Sequence, residues 1–334
     1  MKIVLADTPD TQVPDHTREK EILTKGVKDS YVVVHDYDPE NREAFFKEIE
    51  DADAILTAYI EMDKEAIERA KKLKIISVSA TGFNNIDLDA ASARGIGVSP
   101  IGEYCSKDVA EFTIGVIFAL AKNLKQHFYN IEKEAKWEYD HAIPNQRVEK
   151  MTLGIVGFGK IGKVVAQKAA ALGMNVLAVD KVVDQETDFG PNIQMTDLAT
   201  LLQESDVISN HMNLNETNHD YFDYETFSKC ENSPFFINTG RAACVVETDL
   251  IKALDEGIIK GAALDVLDHE TEDLDLKHHP LVHRDNVIVT PHMAFYTTDA
   301  MSELIRISCE NIVHFLNGEP EKVFKLVNGD RINK

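Results

Sequence analysis

The chain has 334 residues, of which 44% are hydrophobic and 28% are charged. This length exceeds what one hydrophobic core usually serves, so the composition predicts two globular domains and argues against a disordered or fibrous protein. The formal net charge of -22 argues against nucleic acid and anionic membranes as partners, because phosphate groups are bound by clustered Lys and Arg.

No segment is typical of a membrane span or of a secretion signal. The longest uninterrupted apolar stretch, 112–121, is too short to cross a bilayer. The N-terminal sequence MKIVLAD has one lysine before its apolar run, which predicts a first β-strand and not a signal sequence. The cysteines form no CxxC pair, so neither a disulfide framework nor a zinc site is indicated and a reducing cytoplasm is expected. They are Cys105, Cys230, Cys244 and Cys309.

Short β-rich runs alternate with helical patterns along the whole chain, which predicts an α/β fold with parallel sheets. A first series of strands is predicted at 3–6, 31–36, 54–58 and 75–80. A second series is predicted at 152–157, 175–180, 206–211, 234–239, 261–266 and 286–292. A long apolar helix at 106–124 separates the two series, and a last helix at about 298–317 ends before a glycine and a proline. Two parallel sheets are therefore expected.

A glycine-rich turn follows the first strand of the second series. The segment GFGKIG at 157–162 lies between this strand and an Ala-rich helix, where glycines permit a tight turn and the close approach of a pyrophosphate. The next strand ends in Asp180, whose carboxylate can bind the ribose 2′-hydroxyl of NAD and would repel the 2′-phosphate of NADP. These features predict a NAD site, and a turn that uses glycine only for packing is the alternative. Lys181 would weaken the preference for NAD if it met the 2′-phosphate.

Three polar residues follow strands of the second series, at the edge where open α/β sheets bind ligands. Arg241 could hold a carboxylate through two hydrogen bonds while it polarises the adjacent ketone. His292 could supply the proton that ketone reduction requires, and Glu270 could face the imidazole and keep it protonated near neutrality. Each has a structural alternative: a surface salt bridge for Arg241, a structural histidine at 292 and a solvated loop acid at 270.

Several stretches of the chain resemble the D-isomer-specific 2-hydroxyacid dehydrogenases. They are 80–96 (ATGFNNIDLDAASARGI), 104–123, 154–162, 237–270 and 289–297, in an order and spacing that cover essentially the full length. The resemblance implies an NAD-dependent oxidoreductase that interconverts a 2-oxo acid and its D-2-hydroxy acid. It also implies two Rossmann-like or flavodoxin-like domains with a cleft between them and a hinge. The substrate domain would comprise 1–101 plus 297–334, the NAD-binding Rossmann domain would comprise 102–296, and the NAD-binding domains would form a homodimer.

The resemblance also assigns roles to individual residues. Arg241 corresponds to the arginine that binds and activates the substrate, His292 to the acid/base that contacts it, and Glu270 to the glutamate that orients the histidine. Thr81 and Gly82 correspond to the loop whose backbone N–H groups hold the substrate carboxylate. The residues expected to bind NAD are Gly157, Gly159, Lys160, Ile161, Gly162, Asp180, His211, Thr239 and Asp265, the last of them near the nicotinamide.

Three positions depart from the family pattern. Thr271 and Asn213 stand where proline is common, and Val78 stands where the phosphoglycerate-oxidising branch usually carries arginine. The wording ATGxNN at 80–85 resembles instead the glycerate dehydrogenase and hydroxypyruvate reductase branch. We therefore expect a small unphosphorylated 2-oxo acid such as hydroxypyruvate or glyoxylate, with a branched or aromatic 2-oxo acid as the alternative.

Other functions compete with this interpretation. One branch of the superfamily comprises non-catalytic NAD(H)-sensing corepressors, and formate dehydrogenases are disfavoured because they pair the histidine with a glutamine where this chain has Glu270. Cys105 could be a nucleophile, although no histidine-plus-acid arrangement accompanies it. No metal is expected, because the spacing of the clustered histidines matches no zinc pattern. These are His269, His278, His279 and His283.

Overall fold

The computed structural model describes residues 1–9, 13, 15–184, 186–268 and 274–332. The chain divides into two compact units, which we call the discontinuous unit and the central unit. The discontinuous unit consists of Met1–Tyr104 and Thr297–Lys334, and the central unit of Cys105–Tyr296. Within the described ranges, no helix is long and apolar enough to cross a membrane.

The discontinuous unit contains a five-stranded parallel sheet in the order β2-β1-β3-β4-β5, the order of flavodoxin-like folds. Its strands are β1 (Lys2–Asp7), β2 (Tyr31–Asp36), β3 (Ala54–Thr57), β4 (Ile75–Val78) and β5 (Gly97–Pro100). The connecting helices are α1 (Thr17–Gly26), α2 (Arg42–Ile49), α3 (Lys64–Arg69) and α4 (Leu88–Ala93). The three strands β3, β4 and β5 are buried along their whole length, as expected for a parallel sheet with helices on both faces.

The central unit contains a seven-stranded parallel sheet in the order β12-β11-β10-β9-β6-β7-β8. Its strands are β6 (Thr152–Val156), β7 (Asn175–Val179), β8 (Ile193–Met195), β9 (Val207–Asn210), β10 (Phe235–Asn238), β11 (Gly261–Leu264) and β12 (Val287–Val289). Its helices are α5 (Ser106–Ala121), α6 (Leu124–Glu132), α7 (Lys160–Ala171), α8 (Leu198–Glu204), α9 (Tyr224–Phe227) and α10 (Glu247–Asp255). The strand order reverses at β6, which is the Rossmann arrangement and predicts a ligand crevice at the carboxyl end of β6.

The C-terminal segment returns to the discontinuous unit as α11 (Thr298–Leu316) and α12 (Gly329–Ile332). Two buried residues of α11, Cys309 and Ile312, pack in one apolar cluster with side chains of β1 and β3. The Ser77 hydroxyl donates a hydrogen bond of 2.8 Å to the carbonyl oxygen of Ser308. These contacts make the last helix part of the core of this unit, so the unit needs both ends of the chain to fold.

The predicted α/β fold with two parallel sheets is confirmed, but two strands and one helix boundary were missed. β5 has the sequence GVSP and β8 has only three residues, so neither carries a strand pattern long enough to detect. The helix predicted at 106–124 ends at Ala121, because Asn123 adopts a left-handed conformation with φ of 49°. A separate helix, α6, begins directly afterwards.

Candidate active site

The glycine-rich turn joins β6 to α7 at the strand-order reversal. Gly157 has φ of 95°, and a Cβ placed on it would lie 2.7 Å from the backbone nitrogen of Met212. A Cβ on Gly162 would lie 2.2 Å from the carbonyl oxygen of Gly157, so both positions require glycine for the turn to form. By contrast, a Cβ on Gly159 would meet no atom within 4 Å. The space over Gly159 is therefore open, which suits the close approach of a ligand.

This open space lies at the N-terminus of α7, which begins at Lys160. The backbone N–H groups of the first turn of an α-helix have no carbonyl partner four residues earlier, and the helix dipole places positive potential there. The first turn includes Lys160 and Ile161, both of which the sequence predicted to bind NAD. Donors and dipole together make this helix end suitable for a pyrophosphate.

The carboxylate of Asp180, which follows β7, holds the glycine-rich turn through a hydrogen bond. One oxygen accepts a 2.8 Å hydrogen bond from the N–H of Phe158, and the other accepts from the N–H groups of Val182 and Val183 at 2.8 and 3.2 Å. A ribose hydroxyl would therefore donate to carboxylate oxygens that already accept hydrogen bonds from backbone N–H groups. Lys181 donates to the Thr217 hydroxyl at 3.1 Å, so its ammonium group already has a partner in the chain.

His211 follows β9 and is hydrogen-bonded through both ring nitrogens. Its Nε2 lies 2.9 Å from the Ser209 hydroxyl, and its Nδ1 lies 3.3 Å from the hydroxyl of Thr239. Burial lowers the pKa of His211 to about 4, because the charged imidazolium loses hydration. The side chain is therefore neutral at physiological pH, and it links the loops after β9 and β10.

Asp265 follows β11 and holds the loop that carries His292. The carboxylate is only 2% exposed, and it accepts hydrogen bonds from the Thr290 hydroxyl at 2.6 Å and from the N–H groups of Met293 and Ala294 at 2.9 and 2.8 Å. The backbone N–H of His292 donates to the Asp265 carbonyl oxygen at 2.9 Å. The sequence predicts that Asp265 lies near the nicotinamide. In the structure, its carboxylate holds the backbone of the loop after β12.

His292 itself is exposed, and it adopts a left-handed conformation with φ of 51°. Such a conformation is uncommon for a residue with a Cβ and persists where surrounding contacts impose it. Here the contacts are those to Asp265 on either side of the residue. The ring lies 6.5 Å from that of Phe295 in an edge-on arrangement.

Arg241 lies just beyond β10 on the same edge of the same sheet, and its side chain is exposed. Its Nη1 donates 2.8 Å to the carbonyl oxygen of Gly240. The central unit therefore brings Arg241 and His292 to the carboxyl ends of β10 and β12, with Asp265 at the end of the strand between them. Glu270 lies outside the described residues, as do Thr271 and His269.

Thr81 and Gly82 follow β4 in the discontinuous unit, and both are exposed. Val78 is completely buried in the core of that unit, and the Ser77 hydroxyl is bonded to Ser308. Of the small polar side chains around this loop, Ser79 is buried and its hydroxyl has no hydrogen-bond partner among the described residues.

Sequence reasoning missed two buried asparagines, Asn210 and Asn238, which end β9 and β10. The signal was present, because an amide at the last position of an otherwise apolar strand must find partners inside the protein. Within the part of the chain that the structure describes, no group of His, Cys, Asp or Glu is arranged to hold a metal ion.

The sequence profile of the D-isomer specific 2-hydroxyacid dehydrogenase NAD-binding domain matches residues 114–294. The chain belongs to the D-isomer-specific 2-hydroxyacid dehydrogenase family. It is similar to a glyoxylate reductase of Thermofilum pendens, with 34% identity over 86% of each chain, and to a hydroxypyruvate reductase of Blautia hydrogenotrophica, with 31% identity over 84% of this chain and 87% of the other. A crystal structure of D-lactate dehydrogenase from Aquifex aeolicus with NAD and lactic acid superposes with a TM-score of 0.83, at 30% identity over 98% of this chain and 99% of that one.

Membership confirms an NAD-dependent oxidoreductase with NAD as its cofactor. The residues of this chain fit NAD, since the turn leaves open space over Gly159 beside the N-terminus of α7. The positions proposed to hold its pyrophosphate are Gly157, Gly159, Lys160, Ile161 and Gly162.

The glycine turn yields a test that separates cofactor binding from folding. We expect Gly159→Ala to weaken NADH binding by about 10-fold or more, because the methyl group would occupy space that a pyrophosphate needs. The thermal midpoint of the protein without cofactor should stay unchanged, since the methyl group meets no protein atom. The matched variant Gly162→Ala should lower the thermal midpoint as well. Fluorescence titration with NADH and thermal unfolding measure the two effects, and unchanged NADH affinity in Gly159→Ala would contradict the assignment.

Proposed function

We propose that this dehydrogenase reduces a small unphosphorylated 2-oxo acid, with hydroxypyruvate and glyoxylate as the preferred substrates. One observation carries the proposal: the loops after all five strands of the discontinuous unit contain no Lys or Arg. They span 8–16, 37–41, 58–63, 79–87 and 101–105, and they contain acidic residues instead.

A distal phosphate would add about two negative charges to the substrate, and these need Arg or Lys partners. The buried side chain of Val78 offers none, and the nearby Asp7 carboxylate is itself held by the N–H groups of Ala58 and Tyr59. Burial raises the pKa of Asp7, so this edge of the sheet already carries an unfavourable negative charge. A second anion is disfavoured there, whereas a neutral or hydroxylated substituent is not.

The proposed roles follow from the chemistry of each group. Arg241 binds the substrate carboxylate and polarises the ketone, and the backbone N–H groups of Thr81 and Gly82 hold the same carboxylate. Bound NADH supplies the hydride. His292 then gives its proton to the oxygen on which charge develops, and Glu270 keeps that imidazole protonated and oriented. The reverse oxidation uses the same groups.

Substrate charge gives the direct test of the proposal. We expect kcat/KM with NADH to be at least 10-fold higher for hydroxypyruvate than for 3-phosphohydroxypyruvate at equal salt, since the phosphate finds no cation on these loops. Glyoxylate, pyruvate, phenylpyruvate and 2-oxoisocaproate complete the panel. A higher kcat/KM for the phosphorylated compound would overturn the proposal, and a preference for phenylpyruvate or 2-oxoisocaproate would support the branched or aromatic alternative.

The role of His292 has a separate test. His292→Ala should lower kcat for 2-oxo acid reduction by about 10²- to 10⁴-fold, the usual contribution of a positioned proton donor. NADH affinity serves as the control, because the change removes no group of the glycine turn. Glu270→Gln should instead move the pH optimum for reduction to lower pH, since the imidazolium loses an anionic partner. Near-normal turnover in His292→Ala would remove this residue from the mechanism.

We also propose that the enzyme is a homodimer formed through the central unit. Seven large apolar side chains are exposed on or just after α6, where a single chain leaves them in water. They are Leu124, Phe128, Tyr129, Ile131, Trp137, Tyr139 and Ile143, with Trp137 and Tyr139 exposed to 89% and 87%. A second copy of the chain would cover them, in keeping with the resemblance to dimeric dehydrogenases.

The dimer is tested by the molar mass in solution. Light scattering after gel filtration should give twice the chain mass of 37.4 kDa. The double variant Phe128→Asp with Ile131→Asp should shift the mass towards a single chain, because charges would be buried in the interface. Tyr31→Ser, a change at an exposed apolar side chain of the discontinuous unit, is the matched control and should remain dimeric. A monomeric wild-type protein would contradict the proposal.

A further inference from the structure

Two asparagines form a buried pair beneath the loop that carries Arg241. Asn210 is the last residue of β9, Asn238 is the last residue of β10, and the two are direct neighbours in the parallel register. Their exposures are 0% and 1%. A buried amide is costly unless it is hydrogen-bonded, so this pair has a role that offsets its burial.

The partners of the pair fix the orientation of both amides. The Asn238 oxygen accepts from the Gly240 N–H at 3.0 Å and from the Asn210 side-chain NH₂ at 3.1 Å. The Asn238 NH₂ donates to the Arg241 carbonyl oxygen at 3.1 Å, and the Asn210 oxygen accepts from the Met212 N–H at 3.1 Å. Backbone N–H groups only donate and carbonyl oxygens only accept, so reversing either amide would place like groups against each other.

The pair holds the backbone on both sides of Arg241. Gly240 is packed against it, since a Cβ on Gly240 would lie 3.2 Å from the Asn210 NH₂ and 3.0 Å from the Met212 carbonyl oxygen. The guanidinium of Arg241 is exposed and bonds to the Gly240 carbonyl oxygen. The direction of the arginine side chain therefore depends on the backbone that the two amides hold.

We propose that Asn210 and Asn238 are positioning residues that hold Arg241 in the geometry for binding the substrate carboxylate. The inference rests on the proposed role of Arg241. It assigns a positioning function to a buried pair that bonds to the backbone of Arg241. Misplacing a binding group by about 1 Å is enough to cost up to about 100-fold in rate, so a buried pair of this kind has a measurable effect.

The first test replaces the donor of the pair. Asn210→Leu removes the hydrogen bond to Asn238 and leaves the Met212 N–H without its acceptor. We expect KM for the preferred 2-oxo acid, and the dissociation constant of oxamate measured with NADH bound, to rise by about 10-fold. The affinity for NADH alone is measured in parallel, because the backbone at Met212 packs against Gly157 of the glycine turn, and it should fall by less than the affinity for oxamate does. Unchanged oxamate binding would overturn the inference.

A double-mutant cycle separates positioning from general loss of stability. If the two amides act as one unit, the double variant with Asn210→Leu and Asn238→Leu should bind oxamate no more weakly than Asn238→Leu alone. Additive losses would contradict the inference. Asn328→Leu is the matched control, since that buried amide also bonds backbone on two sides, at Val98 and Ile96 of the discontinuous unit. It should lower the thermal midpoint without the same change in oxamate affinity relative to NADH affinity.

A second variant keeps the test valid if the leucine variant does not fold. In Asn210→Asp the new carboxylate faces the Asn238 oxygen and repels it, whereas the protonated carboxyl group can again donate to that oxygen. Burial raises the pKa of such a group, so oxamate affinity relative to wild type should recover as the pH falls from about 8 to about 5.5. A constant ratio across this range would overturn the inference.

The titratable groups next to position 210 do not obscure the pH dependence of oxamate affinity. Burial raises the pKa of the adjacent Cys244 thiol and lowers that of His211 to about 4, so neither changes charge between about pH 5.5 and pH 8. Arg241 stays charged throughout this range. Asp265 and His292 are present in both variant and wild type, so the ratio compares two chains that differ only at position 210.

Arg241→Gln distinguishes failure of this inference from failure of the proposed function. If Arg241 binds the carboxylate, this variant should weaken oxamate binding by more than the Asn210 variants do. If Arg241→Gln weakens oxamate binding and Asn210→Leu does not, the positioning role of the asparagine pair is rejected and the proposed role of Arg241 stands. Normal oxamate binding in Arg241→Gln would reject both the proposed role of Arg241 and the inference that rests on it.

Discussion

The hydrogen bonds of the buried Asp265 carboxylate are the interactions on which the edge of the central sheet that carries Arg241 and His292 depends. Parallel strands that end at one edge leave backbone N–H groups in the loops beyond them, and inside a protein each such group needs an acceptor. Asp265 supplies acceptors for Thr290, Met293 and Ala294, and its own carbonyl oxygen receives the His292 N–H. These hydrogen bonds hold His292 in a left-handed conformation, which is uncommon for a residue with a Cβ.

The same principle extends along the edge. Asp180 supports the turn after β6, Asn210 and Asn238 support the loops after β9 and β10, and Asp265 supports the loop after β12. In each case a buried or half-buried polar side chain bonds to backbone. The groups with proposed roles in chemistry, Arg241 and His292, are left exposed above them. This division lets the loops be rigid while their functional side chains remain available to a substrate.

The discontinuous unit contributes a different property, which is its charge. Its loops after the strands carry acids and no Lys or Arg, and burial raises the pKa values of two further acids, Asp7 at the end of β1 and Glu19 in α1. Carboxyl groups with raised pKa values bind protons more tightly in the folded protein, so their burial destabilises it as the pH rises through those values. Because this unit already carries carboxylates whose charge is unfavourable, a phosphate is poorly accommodated there. This supports a small substrate that carries one carboxylate.

Sequence alone determined the α/β fold, both series of strands, the glycine turn and the membership of the family, because these rest on local patterns and on motifs of fixed spacing. It also selected Arg241 and His292, since each directly follows an apolar strand. Local pattern could not reveal β8, which has three residues, nor the end of α5, which depends on one left-handed asparagine.

Only the tertiary structure decided what the polar groups near these motifs bond to. The sequence predicts that Asp180 and Asp265 contact the cofactor, and it gave no sign that both carboxylates also hold backbone N–H groups that lie up to 29 residues away along the chain. The link between Asn210 and Asn238 likewise spans 28 residues and exists because β9 and β10 are neighbours in register. Which hydrogen bonds a buried group makes is set by the strands that pack beside it, and strand order is a property of the whole fold and not of any segment.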